Sequence, residues 1–188
     1  MKPVRRIVTI DDEKGESRAI CDGPSSDVRT DPARPGYAST RIWVTDRTPA
    51  RIKDVRETLQ MPHTIEPPAG GSVCRIVTFP PDDAFRGKVG AREVRAFFEA
   101  MGSPGASTYS AQASHPYMQK TRTLDFCLVL EGEITLVLDT EEVHLKQGDT
   151  VVQRGTNHAW SNRSGTPCVV AFSSHDARRL PDLGSTNS

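Results

Sequence analysis

Four residues of this 188-residue chain could together work on a small substrate, Asp125 and His158 by moving protons and Gln119 and Thr121 by orienting it. Gln119, Thr121 and Asp125 share parity in one extended run, so in a strand their side chains point to the same side. His158 lies on a later run and would face them. A carboxylate and an imidazole enclosed together have their proton affinities shifted by burial and by each other's charge. They can then trade a proton near neutral pH, which general acid–base catalysis requires. An amide at 119 and a hydroxyl at 121 can hydrogen-bond a substrate carbonyl or hydroxyl. A plainer reading stands beside this one: a buried Asp125–His158 pair that satisfies itself and does no chemistry.

Other side chains extend the candidate pocket. His158, Trp160 and Asn162 alternate onto one face and read as a wall of imidazole, indole and amide. The parity of Arg75 within its β run points it inward, where it could clamp a carboxylate bidentately; a surface ion pair is the alternative. Tyr117 either lines the pocket or packs, and the same holds for Trp160. His115 precedes Gln119 by four residues and could swing toward it, but Pro116 follows, so it also reads as a loop histidine. His63, His144 and His175 stand in polar or turn contexts and read as surface residues.

Short strands must hold these residues. From Thr123 to Phe172 the chain alternates β runs with glycine turns at Gly132, Gly148, Gly155 and Gly165, a pattern for a sandwich or small barrel. Gly148 and Gly155 mark two corners where a positive φ is expected. Ser72–Phe79 is a further β run, with Val73, Arg75, Val77 and Phe79 on one face. Ala91–Met101 is the one helix signal, with Val94, Phe97, Phe98 and Met101 forming an apolar stripe and Gly102 a C-cap. Residues 1–60 are polar and turn-rich and read as an arm laid over a domain at 61–178. Arg6–Ile10 and Arg41–Thr45 are its β candidates, and Gly23–Thr40 reads as loop. Residues 179–188 read as a flexible tail.

Composition narrows the partners. Lys+Arg and Asp+Glu are 24 each, so the net charge is zero and gives no global reason to seek nucleic acid or an anionic membrane. No apolar run approaches a membrane span, and Met1–Arg6 is not followed by the apolar stretch of a secretory signal. The four cysteines are far apart, form no C-x-x-C pair, and suggest a reduced, cytoplasmic setting; Cys74, Cys127 and Cys168 read as small core residues. The expected partner is a small-molecule substrate.

The β region resembles the cupin family of small barrels, a double-stranded β-helix or jelly roll. Gly148, Gly155, His158 and Asn162 match the family's second motif, with a turn one residue shorter and Arg154 in place of its proline. In the first motif Gly132 matches and Asp125 takes the acidic position, but Gln119 and Thr121 stand where two histidines are expected. Met118–Phe126, Leu130–Ile134 and Trp43–Ala50 are also similar to a bacterial and fungal cupin subgroup of poorly defined function. The resemblance covers roughly residues 70–175 and implies an all-β barrel with an N-terminal arm and one short helix, assembled as a homodimer. A typical cupin metal site has three histidines and a carboxylate. Here the weak metal candidates are His158, Asp125 and Gln119, so no cofactor is expected and a divalent metal is the alternative. The expected activity is that of a lyase or isomerase, such as a dehydratase or decarboxylase, with Asp125 and His158 moving protons. A metal-dependent oxygenase and a non-catalytic small-molecule-binding barrel are the alternatives.

Overall fold

Alternating burial along the strands shows why they stack where they do. In the computed structural model, which describes residues 3–178, Ser72–Phe79 (β5) buries every second residue: Val73, Arg75, Val77 and Phe79. Those side chains face a shared interior, as period-two patterning requires. β5 sits near the middle of a six-stranded antiparallel sheet. Its order is Val28–Thr30 (β3), Ala38–Thr45 (β4), β5, Cys168–Asp176 (β11), Thr123–Glu131 (β6) and Thr150–Gln153 (β9). A three-stranded sheet of Ala159–Ser161 (β10), Glu133–Val137 (β7) and Glu142–Lys146 (β8) lies apart from it in pairing. Arg5–Asp11 (β1) and Ser17–Pro24 (β2) form a separate two-stranded hairpin.

The one α-helix among the described residues, Ala91–Ala100 (α1), buries Val94, Phe97 and Phe98, and Met101 follows it at its C-cap. Gly102 takes a φ of +63°, and a Cβ there would lie 2.2 Å from the His63 carbonyl, so the helix stop needs glycine. The apolar core joins this helix to β5, β6, β7 and β11 through Phe79, Phe98, Val129, Leu136 and Val170. No helix among the described residues is long and apolar enough to cross a membrane.

Several expectations need revision. Residues 23–40 are not all loop: β2 runs to Pro24, β3 lies within the stretch, and β4 begins at Ala38. β2 and β3 are mostly exposed, so they carry no apolar alternation to read. β4 hydrogen-bonds along β5 within the main sheet, from Ala38 opposite Thr78 to Thr45 opposite Ser72. Cys127 and Cys168 are buried as expected, but Cys74 faces the other side of β5 and is only half-buried. The tail at 179–188 lies outside the described residues.

Candidate functional site

Side chains from six strands, α1 and the loops around Arg34, Ile65, Tyr117 and His158 enclose one cavity. Its free space is about 730 Å³ counting its open mouth. β6 and the segment leading into it supply Gln119, Thr121, Thr123 and Asp125, in the alternation the sequence suggested. His158 and Trp160 enter from the β10 side, and Arg75, Val77 and Phe79 from β5. Backbone bonds between Gln119 and His158 run both ways, at 2.8 and 2.9 Å, and fix the two residues opposite each other. Gly155 brings the turn before His158 close to Thr121. Its φ is +60°, and a Cβ would stand 2.8 Å from the Thr121 carbonyl oxygen. Gly148 has φ +91° with open space around it.

The tautomer of His158 follows from its partners. Nδ1 lies 2.9 Å from the Thr156 carbonyl oxygen, which can only accept, so Nδ1 carries the proton. Nε2 therefore presents a lone pair, 3.3 Å from the Gln119 side-chain nitrogen, which donates to it. Burial pushes the pKa of His158 below its ordinary value; the Thr156 carbonyl and the Asp125 charge pull it back only in part. The ring is thus neutral near pH 7.

Asp125 sits in the same cavity with a hydroxyl chain behind it. Thr121 and Thr123 share a hydrogen bond of 2.7 Å between their hydroxyls, and Thr123 donates to Asp125 at 2.8 Å. The direct Asp125–His158 pair is corrected: neither a hydrogen bond nor an ion pair joins the two, and Asp125 accepts from Thr123 while His158 Nδ1 donates to the Thr156 carbonyl. Thr123 shares the parity of Thr121 and Asp125 and was legible on that ground, but the family motif has no place for it.

Other expectations divide. Trp160 lines the cavity, 5.3 Å from the Phe172 ring and edge-on to it. Tyr117 lines it too and donates its hydroxyl to Asp31 at 2.9 Å. Arg75 faces inward, but Nη2 already donates to the carbonyls of Thr64 and Ile65, so a bidentate clamp is not left free; Nε has no partner. Burial lowers the pKa of Arg75, against the pull of Tyr37 and Asp125. Asn162 is not a pocket residue. Its amide donates to the carbonyls of Phe79 and Thr166 and its oxygen accepts from Ser164, so it ties the strand ends together. His115 does not swing toward Gln119. It is 1% exposed, its Nδ1 accepts the Tyr117 N–H, and its Nε2 lies 3.4 Å from Asp82. His63 is not a surface residue: its side chain is buried, with Nδ1 3.0 Å from Asp27. His144 is exposed beside Glu133, and His175 is half-buried against Phe126.

Sequence reasoning missed the contribution of residues 34–39. Arg34, Tyr37 and Ser39 all line the cavity. Arg34 is 4% exposed, donates through Nε to Asp31 at 2.7 Å, and lies 3.6 Å from the Tyr117 ring and 4.0 Å from the Tyr37 ring. An arginine three residues before a tyrosine in a proline-rich stretch was the available signal, but the turn residues around it outweighed it. Cys127 lines the cavity as well, and burial pushes its thiol far up, which keeps it protonated and a poor nucleophile.

An all-β barrel with a mixed apolar and polar interior defines the class, and the sequence comparisons agree with it. Residues 105–174 match the family described as Cupin domain, so this stretch of the chain is similar to a cupin domain. It is 58% identical over 50 residues to phomopsin biosynthesis cluster protein C' of Diaporthe leptostromiformis, over 26% of this chain and 26% of that protein. It is 31% identical over 128 residues to the cupin-domain-containing oxidoreductase virC of Hypocrea virens, over 66% of this chain and 50% of that protein. The matches thus span between a quarter and a half of these relatives' lengths. The solved cupin domain of Cnp3 from Schizosaccharomyces pombe aligns with a TM-score of 0.43 at 10% identity, over 92% of this chain and 87% of that one.

The metal centre of a typical cupin does not fit the donors present. Among the described residues no three His, Cys, Asp or Glu side chains converge. One imidazole nitrogen already accepts from Gln119, and one carboxylate accepts from Thr123. Neutral amide and hydroxyl oxygens add little for a transition metal.

Proposed function

We propose that this cupin is an enzyme of small-molecule biosynthesis that moves protons on a substrate held between His158 and Asp125, as a lyase or isomerase. One observation carries the reading: a neutral imidazole with its Nε2 lone pair in the cavity, and a carboxylate across from it that it does not touch. A substrate bridging that gap replaces Gln119 as the partner of Nε2 and gives it a proton. Nε2 then returns that proton to the leaving group or to a neighbouring substrate atom, and the Asp125 carboxylate, held by the Thr123 hydroxyl, favours the imidazolium that carries it between the two steps. Gln119, once displaced, is free to hydrogen-bond a substrate carbonyl. Relatives named for biosynthesis clusters support a place in secondary metabolism.

The test works with the substrate still unidentified. Asp125→Asn and His158→Ala, each introduced into the encoding organism, should leave the protein folded and cause the same precursor to accumulate. An unchanged metabolite profile with folded protein would favour a non-catalytic binding barrel and remove the proposal.

A metal-dependent oxidoreductase is the second reading, favoured by the names of two relatives. Stoichiometric iron, manganese or nickel in the purified protein, lost in His158→Ala, would establish it over the first. A homodimer and a cytoplasmic location belong to the same proposal. Sedimentation showing a monomer at micromolar concentration would remove the dimer, and fractionation the location.

A further inference from the structure

Four buried side-chain donors on the cavity wall have no hydrogen-bond partner: Arg34 Nη2, Ser39 Oγ, Arg75 Nε and Trp160 Nε1. A buried donor without an acceptor is costly, so such groups are rare, and several lining one cavity point to a missing acceptor. They share a neighbourhood. Ser39 pairs with Val77 across β4 and β5, and Arg75 lies two residues along β5 on the same face, which makes the two diagonal neighbours. Tyr37 packs against the Arg34 guanidinium and edge-on to Phe79 at 6.0 Å, and Phe79 lies 6.2 Å from Trp160.

From this wall we infer that the cavity takes a small carboxylic acid with an apolar or aromatic body, its carboxylate held by Arg34, Ser39, Arg75 and Trp160. Two guanidinium groups select an anionic oxygen acceptor over a neutral one. Asp31 and Asp125 stand close to the same arginines and offset their charge, so the wall disfavours a doubly charged phosphate more than a singly charged carboxylate. Phe79, Phe97, Met101 and Phe172 supply the apolar surface for the body. The inference rests on reading the cavity as a small-molecule site and names the substrate class for the proton transfer proposed above.

The probes are benzoate, phenylacetate and cinnamate, each compared with its neutral amide by titration calorimetry on the full chain. At least one acid should bind about tenfold or more tightly than its amide. Ser39→Ala and Trp160→Phe, which remove one donor each with little loss of volume, should weaken that acid by about threefold or more and leave the amide unchanged. If every amide binds as well as its acid, or no acid binds, the inference is overturned. Asp125→Asn separates this result from the catalytic reading. It should keep or tighten acid binding; acids that bind while the metabolite profile of that variant stays normal would remove only the proton-transfer proposal.

Discussion

Asp125 and His158 line one cavity without a hydrogen bond between them, each held by a different threonine: Thr123 donates to the Asp125 carboxylate and the Thr156 carbonyl accepts from His158 Nδ1. The separation makes their coupling electrostatic rather than a shared proton. Asp125 still raises the pKa of His158 against the larger effect of burial, which lowers it.

That coupling sets the expected pH profile. A base at Nε2 must be neutral, so activity falls as His158 protonates. Because its pKa lies below the ordinary 6.5, the acid limb of kcat/KM should lie below pH 6.5. The residual activity of Asp125→Asn loses the charge that favours the imidazolium, so its acid limb should move to still lower pH. A limb that moves upward, or stays put, would show that His158 does not set it.

Thr123 links two residues of the site. Thr123→Val removes the donor to Asp125 and the partner of Thr121 while keeping shape, leaving buried groups unpaired at a cost of about 1–3 kcal/mol. Thr123→Ser keeps the hydroxyl and should recover most of that loss in a denaturant titration. Equal stability of the two variants would mean that the hydroxyl chain contributes nothing.

The two glycine corners should differ. Gly148→Ala meets open space and bears only the cost of a positive φ, about 1 kcal/mol. Gly155→Ala has the same backbone problem and also drives its Cβ against the Thr121 carbonyl, so it should lower the melting temperature more and weaken ligand binding. Similar losses in both variants would contradict the contact.

The sequence made the β5 faces, the α1 stripe, the glycine corners and the convergence of Gln119, Thr121, Asp125 and His158 legible, because period and parity encode which side a residue faces. Parity says nothing about partners, however. Trp160 and Asn162 are two apart, yet one lines the cavity and the other is consumed by Phe79, Ser164 and Thr166 beyond the end of β10. Arg34 and Ser39 were hidden for a different reason. Ser39 reaches the cavity through the pairing of β4 with β5 and Arg34 lies against the distant Tyr117 ring, long-range contacts that no local window contains.

His63 gives a prediction about stability rather than chemistry. It is buried with Asp27, and Arg41 closes the loop over it by donating to the carbonyls of Leu59, Met61 and Pro62. Burial lowers its pKa to about 4; Asp27 opposes the shift, and Arg41 and Arg75 add to it. Between that value and the unfolded 6.5 the unfolded chain binds the extra proton, so stability rises with pH across this window and is lost as pH falls through it. One such proton changes stability by at most about 1.4 kcal/mol per pH unit. His158 is also shifted down by burial and adds to the same slope. Thermal melts from pH 7 to pH 4 should therefore fall steeply for the natural chain and less steeply for His63→Leu, with the remaining slope reduced again in His158→Ala. If His63→Leu melts with the same pH slope as the natural chain, burial does not hold the His63 ring neutral in the folded protein.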